Sequence, residues 1–196
     1  MSNRYDRIAP HYDQYLSRLE RWFLSKLRNQ TLARLPLNSR TLELGAGTGM
    51  NFIHYSPEAH GVATEPSSEM LKIARAKPRP EGVQLVQSLA EDLPFASSSF
   101  DAAFATLVFC SVKSPAKSFA EVRRVVRKGG VVVLLEHVRP DGLLGPLFDL
   151  MNLATVPLFD DHMNRRTADY AREAGLAVVD VKKFGWGIIN LIFCRT

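Results

Sequence analysis

"TLELGAGTGMNF", residues 41–52, decides how this chain is read. A short, mostly apolar run ends in glycines at alternate positions, Gly45, Gly47 and Gly49. Glycine after a buried strand allows backbone conformations and close approaches that a Cβ forbids. A turn of this kind that opens towards a helix can also aim backbone N–H groups at a ligand. The dinucleotide fingerprint GxGxxG is not met, because Met50 stands where its last glycine would be. No Gly-Lys-Ser/Thr follows, so the phosphate-cradling loop fails as well.

Outward from this stretch, apolar strand-like runs alternate with helical segments. The strands are expected at Thr41–Leu44, Gly61–Thr64, Val83–Gln87, Phe100–Thr106, Val131–Glu136, Ala177–Lys182 and Ile188–Cys194. Helices are expected after Gly49, Pro66, Pro115 and Asn164, the last running to about Ala174. This alternation argues for an α/β doubly wound sheet, whose ligand lies at the carboxyl ends of the strands. Residues 11–35 read as an amphipathic helix, with Tyr12, Leu16, Leu19, Phe23 and Leu27 near helical spacing. Glu65 ends the second strand about 20 positions after Gly45, where an acidic side chain can accept from ribose hydroxyls. It could equally favour the start of the following helix through the helix dipole. Glycine turn and carboxylate together favour an adenosine-bearing ligand over bare phosphate.

The 196-residue length suits one domain with a buried core. With 46% hydrophobic and 23% charged residues, the composition is that of an ordinary globular protein. No apolar run is long enough to span a bilayer, and residues 1–13 lack the apolar core of a secretory signal, so a cytoplasmic location is expected. Cys110 and Cys194 lie in apolar runs without a CxxC pattern, and no metal is expected. The net charge of +5 is concentrated in an N-terminal arm rich in arginine, a solvated face or a contact for an anionic surface.

The blocks "LELGAGTG", "GVATEPSSEMLKIARAK", "AEDLPFASSSFDAAFATLVFCSV" and "EVRRVVRKGGVVVLLEHVRP" occur in this order between Thr41 and Pro140. In them the sequence resembles the class I S-adenosylmethionine-dependent methyltransferases. The nearest branch contains the ubiquinone/menaquinone C-methyltransferases, phosphatidylethanolamine N-methyltransferases and methyltransferase-like thiol methyltransferases. A weaker match, "LFDDHMNRRT", extends to Thr167. The resemblance implies a Rossmann-like, doubly wound, seven-stranded sheet with the last strand antiparallel. It also implies an N-terminal helical lid over residues 1–37 and a catalytic domain over 38–196.

Carried over residue by residue, the resemblance implies a site for S-adenosyl-L-methionine. Gly45, Ala46, Gly47, Thr48 and Gly49 would hold its methionine end, with Glu43 orienting the amino group. Glu65 would take the ribose hydroxyls, beside Pro66. Ala90 and its neighbours would read adenine, and Thr106 would close the site under the sulfonium. One departure stands out: Leu89 replaces an aspartate expected to contact the adenine amino group, with Glu91 a candidate to compensate.

Methyl transfer from a sulfonium requires alignment rather than a built nucleophile, so no Ser-His-Asp order or carboxylate pair is needed. "YDRIAPHYDQYL" resembles the lid of this branch and offers Tyr5 and Tyr12 to the acceptor. His137, in "EHVRP", stands at the carboxyl edge of the fifth strand, as a general base or a structural hydrogen-bonder. Asp160, Asp161, His162 and Asn164 form a polar cluster that could meet a cationic amine or cap the next helix. The apolar run "GLLGPLFDLMNLATVPLF" suits a small, lipophilic acceptor such as a phospholipid amine, a thiol or a quinone. With the basic arm it admits peripheral contact with a membrane. A nucleic-acid methyltransferase is disfavoured, because no Asn/Asp-Pro-Pro-Tyr motif follows the fourth strand. A non-catalytic S-adenosylmethionine-binding module is the remaining alternative.

Overall fold

The computed structural model describes residues 2–159 and 161–196. The sheet has seven strands: β1 Arg40–Leu44, β2 His60–Thr64, β3 Val83–Val86, β4 Phe100–Thr106, β5 Val126–His137, β6 Ala177–Phe184 and β7 Ile189–Arg195. Their order is β3-β2-β1-β4-β5-β7-β6. Strands β1 to β5 pair in parallel, and β7 runs antiparallel to both β5 and β6, as the resemblance implies. The order of strand addition reverses between β1 and β4, which opens a crevice at their carboxyl ends.

Apolar periodicity explains the two faces. Leu42, Leu44, Val132 and Leu134 project to one side and are fully buried there with Phe119 and Val122 of helix α4 (Pro115–Val125). On the other side Phe104, Val133 and Leu135 pack with Leu27 of α2 (Ser25–Leu32). Helix α3 (Ser68–Ala76) is capped by Ser67, whose hydroxyl accepts from the Met70 N–H, and α4 in the same way by Ser114 from Lys117.

Three expectations change. No α-helix follows Gly49: only a 3₁₀ turn, Phe52–His54, fills the space before β2. The stretch is short, and the half-buried Tyr55 that ends it packs edge-on to Phe104. The N-terminal helix starts earlier than residue 11: α1 spans Ser2–Leu19 and continues through a π-helical turn at Glu20–Leu24 into α2. Helix α6 begins at Thr167 rather than near Asn164, so the acidic segment before it does not cap it. Helix α5 spans Leu144–Phe159 in the apolar run.

Helix α1 lies across the crevice with its acidic residues inward. Asp6 accepts from the Ser67 hydroxyl at 2.6 Å and the Glu69 N–H at 3.3 Å. Asp13 accepts from the Thr48 hydroxyl and from Lys77 Nζ. These contacts clamp α1 to both loops that border the crevice. Asp13→Ala should therefore speed amide exchange along α1 by about two- to fivefold, the scale of a half-exposed ion pair. Exchange in β1, β4 and β5 should stay unchanged.

Candidate functional site

The crevice floor is the bend after β1. Gly45, Gly47 and Gly49 all have positive φ, at 61°, 56° and 82°. They are glycines for different reasons. A Cβ on Gly45 would come within 2.6 Å of Val108, and one on Gly49 within 2.5 Å of the Phe52 ring. A Cβ on Gly47 would meet nothing within 4 Å, since that position faces open space in the crevice. Gly45 and Gly49 serve packing, whereas Gly47 bares backbone to whatever occupies the cleft.

Glu65 joins the two loops. Its Oε2 accepts from the Gly47 N–H at 2.8 Å and its Oε1 from the Ser67 N–H at 2.8 Å. Burial raises its pKa to about 7, with those two N–H groups pulling the other way. Each carboxylate oxygen keeps a lone pair for a further donor, which is what a sugar diol supplies.

Of the residues expected at the methyl donor, Gly45, Ala46, Gly47 and Thr48 line this crevice. So do Glu65, Pro66, Leu89, Ala90, Glu91 and Thr106. Tyr5 and Tyr12 reach in from α1. Burial pushes the Tyr12 phenol up to about 12 and raises Tyr5 further, so both stay protonated near neutrality as hydrogen-bond donors. Glu91 Oε1 is engaged elsewhere, accepting from the Lys113 N–H at 2.7 Å and Ser114 N–H at 3.2 Å ahead of α4. Leu89 is half exposed at the rim and offers only an apolar edge.

Glu43 lies below the bend and does not line the crevice. It is buried, accepting from Asn51 Nδ2 at 2.6 Å and from the Tyr55 hydroxyl. Burial raises its pKa despite those donors. Asn51 also donates to the Thr106 hydroxyl at 2.9 Å, so Glu43 reaches the site only through a neighbour. His137 also stands apart from the lining: its Nε2 lies 3.0 Å from Asp161 Oδ1. Asp160 falls outside the described residues, and Asn164 donates to Asp149 rather than joining Asp161.

Arg28 is the residue that the sequence concealed. It sits in the basic arm by position, yet its side chain is only 5% exposed. It donates to Glu20 at 2.7 Å, to Asn51 at 3.0 Å and to Thr106 at 2.6 Å. Among the described residues that line the crevice it is the one cation, beside Thr106 at the end of β4. A signal existed in the spacing: Arg28 follows Leu24 and Leu27 on the inward stripe of its helix.

The closed crevice has a free volume of about 80 Å³. Two outcomes follow for S-adenosylhomocysteine binding, read by calorimetry. Gly47→Val should reduce affinity at least about 100-fold, because its side chain fills the cleft from a strained position. Hydroxyl donors favour ionised Glu65, so binding should release a proton and tighten about tenfold from pH 6 to 8. In Glu65→Gln that dependence should vanish.

Comparisons place the chain among known proteins. Residues 42–134 match a methyltransferase domain model. Human thiol S-methyltransferase TMT1B is 42% identical over 103 residues, covering 50% of this chain but only 42% of that protein. The ubiquinone/menaquinone biosynthesis C-methyltransferase UbiE of Syntrophotalea carbinolica is 33% identical over 165 residues, 78% of this chain and 68% of the relative. In fold, a methyltransferase from Thermotoga maritima superposes with a TM-score of 0.75 at 24% identity, covering 100% of this chain and 99% of its own. Bend, carboxylate, strand order and these likenesses agree: the chain belongs to the class I S-adenosylmethionine-dependent methyltransferases.

Proposed function

We propose that this methyltransferase acts on a small lipophilic acceptor met at a membrane surface on the cytoplasmic side. The observation that carries this is helix α5. Leu147, Leu150 and Met151 fall on one helical stripe and are 50%, 64% and 40% exposed, with Leu153 at 73%. An outward apolar stripe this close to an active face is a contact surface rather than a core. Arg4 donates to the Val156 and Pro157 carbonyls and so ties the lid to the end of α5. On the lid, exposed Tyr15, Leu19 and Trp22 alternate with Arg18, Arg21 and Lys26, the pattern of an interfacial helix. No described helix is long and apolar enough to cross a membrane.

In this reading Glu65 grips the ribose, while Pro66, Leu89, Ala90 and Glu91 border adenine. Gly45, Ala46, Gly47 and Thr48 cradle the methionine tail, while Gly49 packs on Phe52 and shapes the bend. Arg28 pairs with the tail's carboxylate, and Glu43 acts through Asn51. Thr106 lies beneath the sulfonium, and Tyr5 and Tyr12 cover the acceptor. The sulfonium is already electrophilic, so no metal ion is required. The relatives' names indicate thiol and quinone acceptors, and both fit an apolar entrance.

Incubation with S-adenosylmethionine and separate thiol, hydroquinone and phosphatidylethanolamine substrates should give a product one CH2 heavier in one class. Product formation should rise on phosphatidylglycerol vesicles, and Leu150→Glu with Leu153→Glu should abolish that rise without changing S-adenosylhomocysteine affinity. Methylation confined to RNA or DNA would overturn the reading.

A further inference from the structure

A second cavity opens at the foot of α5, across β5 from the methyl-donor crevice. Its free volume is about 230 Å³, below the roughly 300 Å³ at which drug-sized sites begin. That space suits a headgroup rather than a whole lipid. Val138 and Arg139 follow the carboxyl end of β5, and Asn190 of β7 stands opposite Glu136 of β5 and Lys183 of β6. Arg166 and Thr167 enter from the start of α6 (Thr167–Glu173), and Gly187 from the turn between β6 and β7.

The charges here are paired with one exception. Arg139 pairs with Asp149 of α5, Arg172 with Asp169 and Lys183 with Asp141, at 2.8, 2.7 and 2.6 Å. The guanidinium of the exposed Arg166 makes no hydrogen bond or ion pair among the described residues. One positive charge is therefore left over. The Lys183 and Asp141 side chains are 53% and 81% exposed, so their pair is weak and Lys183 is free to turn to another anion.

Two other lining residues carry polar groups without partners. The Thr167 hydroxyl and the Asn190 amide oxygen are buried and hydrogen-bonded to nothing among the described residues, which are 1% and 8% exposed at these positions. Such groups are costly until something completes them. A hydroxyl both donates and accepts, whereas Oδ1 only accepts and so asks for an O–H or N–H donor. A singly charged phosphodiester that carries hydroxyls meets both needs, and a glycerol-phosphate headgroup has that composition.

The rim favours a membrane as the source of that headgroup. Trp186 and Leu143, beside the lining residues Gly187 and Asp141, are 88% and 98% exposed. Trp186 also holds φ at 57°, a left-handed conformation that bulky side chains seldom adopt. An indole kept outward at a conformational cost suits the headgroup level of a bilayer, where one edge is apolar and the other wet. Arg139 joins the cavity to α5: a Cβ on Gly145 would meet its guanidinium at 2.5 Å. Its partner Asp149 lies on the side of α5 turned away from the stripe Leu147, Leu150 and Met151.

We propose that this cavity holds the glycerol-phosphate headgroup of an anionic membrane lipid, with Arg166 and Lys183 on the phosphate and Thr167 and Asn190 on the glycerol. The assignment rests on the surface reading of α5 and adds the lipid class which that surface selects. The headgroup enters the cavity while acyl chains meet the α5 stripe. The site holds the membrane and takes no part in methyl transfer.

Sedimentation with phosphatidylcholine vesicles, alone or mixed with phosphatidylglycerol or phosphatidylserine, tests the choice. Wild type should prefer phosphatidylglycerol over phosphatidylserine, although the two carry equal charge. Arg166→Gln should weaken binding to phosphatidylglycerol vesicles about fivefold, the scale of one cation near a lipid surface, and remove that preference. Thr167→Val changes no charge and should still cost at least about threefold. In Trp22→Phe, where Trp186 is the sole tryptophan, emission should shift to the blue on phosphatidylglycerol vesicles. Equal binding of the two anionic vesicles, a preference kept by both Arg166→Gln and Thr167→Val, or an unmoved Trp186 emission would overturn the headgroup site. So would free glycerol phosphate binding as tightly as dihexanoyl phosphatidylglycerol in phosphorus NMR. Should Leu150→Glu with Leu153→Glu lose all vesicle binding while the cavity variants lose none, this site falls and the surface reading stands. If wild type binds no vesicle, the surface reading falls, and the NMR titration with dihexanoyl phosphatidylglycerol still decides the cavity.

Discussion

The carboxylate of Glu65 is the constraint on which the site depends. It accepts from Gly47 on one loop and Ser67 on the next, and so fixes the distance between the two walls of the crevice. The same group is buried and carries a pKa near 7, a poor ground state for an anion without further donors. In the proposed reading a sugar diol supplies those donors. Architecture and affinity therefore share one side chain, and pH acts on both.

Around that carboxylate the chain builds a buried polar layer. Glu43, Asn51, Tyr55, Thr106 and Arg28 are joined by hydrogen bonds that run from β1 through the bend to β4 and α2. Each member satisfies another, which is what makes such a network rigid rather than costly. It positions the bend from beneath, while Asp6 and Asp13 hold the lid from above. Glu136 plays the corresponding part on the far side, accepting from the Val108 and Phe109 N–H groups and so fixing the turn that carries Cys110 and Ser111. The π-helical turn at Glu20–Leu24 joins α1, which lies over the crevice, to α2, which packs on the sheet. Its Glu20 is tied to Arg28, which connects this turn to the floor of the crevice.

The lid also presents two surfaces of opposite character. Its inner face bears Asp6, Tyr12 and Asp13, and its outer face bears the arginines with Tyr15, Leu19 and Trp22. In the proposed reading, the face that covers the methyl donor and the face that meets a lipid surface belong to one helix. Helix α5 continues the outer surface, and its end meets both Arg4 of the lid and Asp161 beside His137.

The sequence by itself determined the sheet, because alternating apolar runs between glycine and proline leave few other ways to bury Leu42, Leu44 and Val131–Leu135. It also determined the bend and Glu65, whose residue types are dictated by local backbone geometry and sit at the ends of legible strands. Periodicity could not show that the segment after Gly49 lacks a helix, since its apolar residues satisfy either structure and only the room left beside Tyr55 decides. Arg28 looked like one more surface cation, and its burial depends on partners 23 and 78 residues away. The meeting of His137 with Asp161, 24 residues on, belongs to the same class. Local pattern fixes which elements form; the pairing of charges across them exists only once the sheet has brought distant strand ends together.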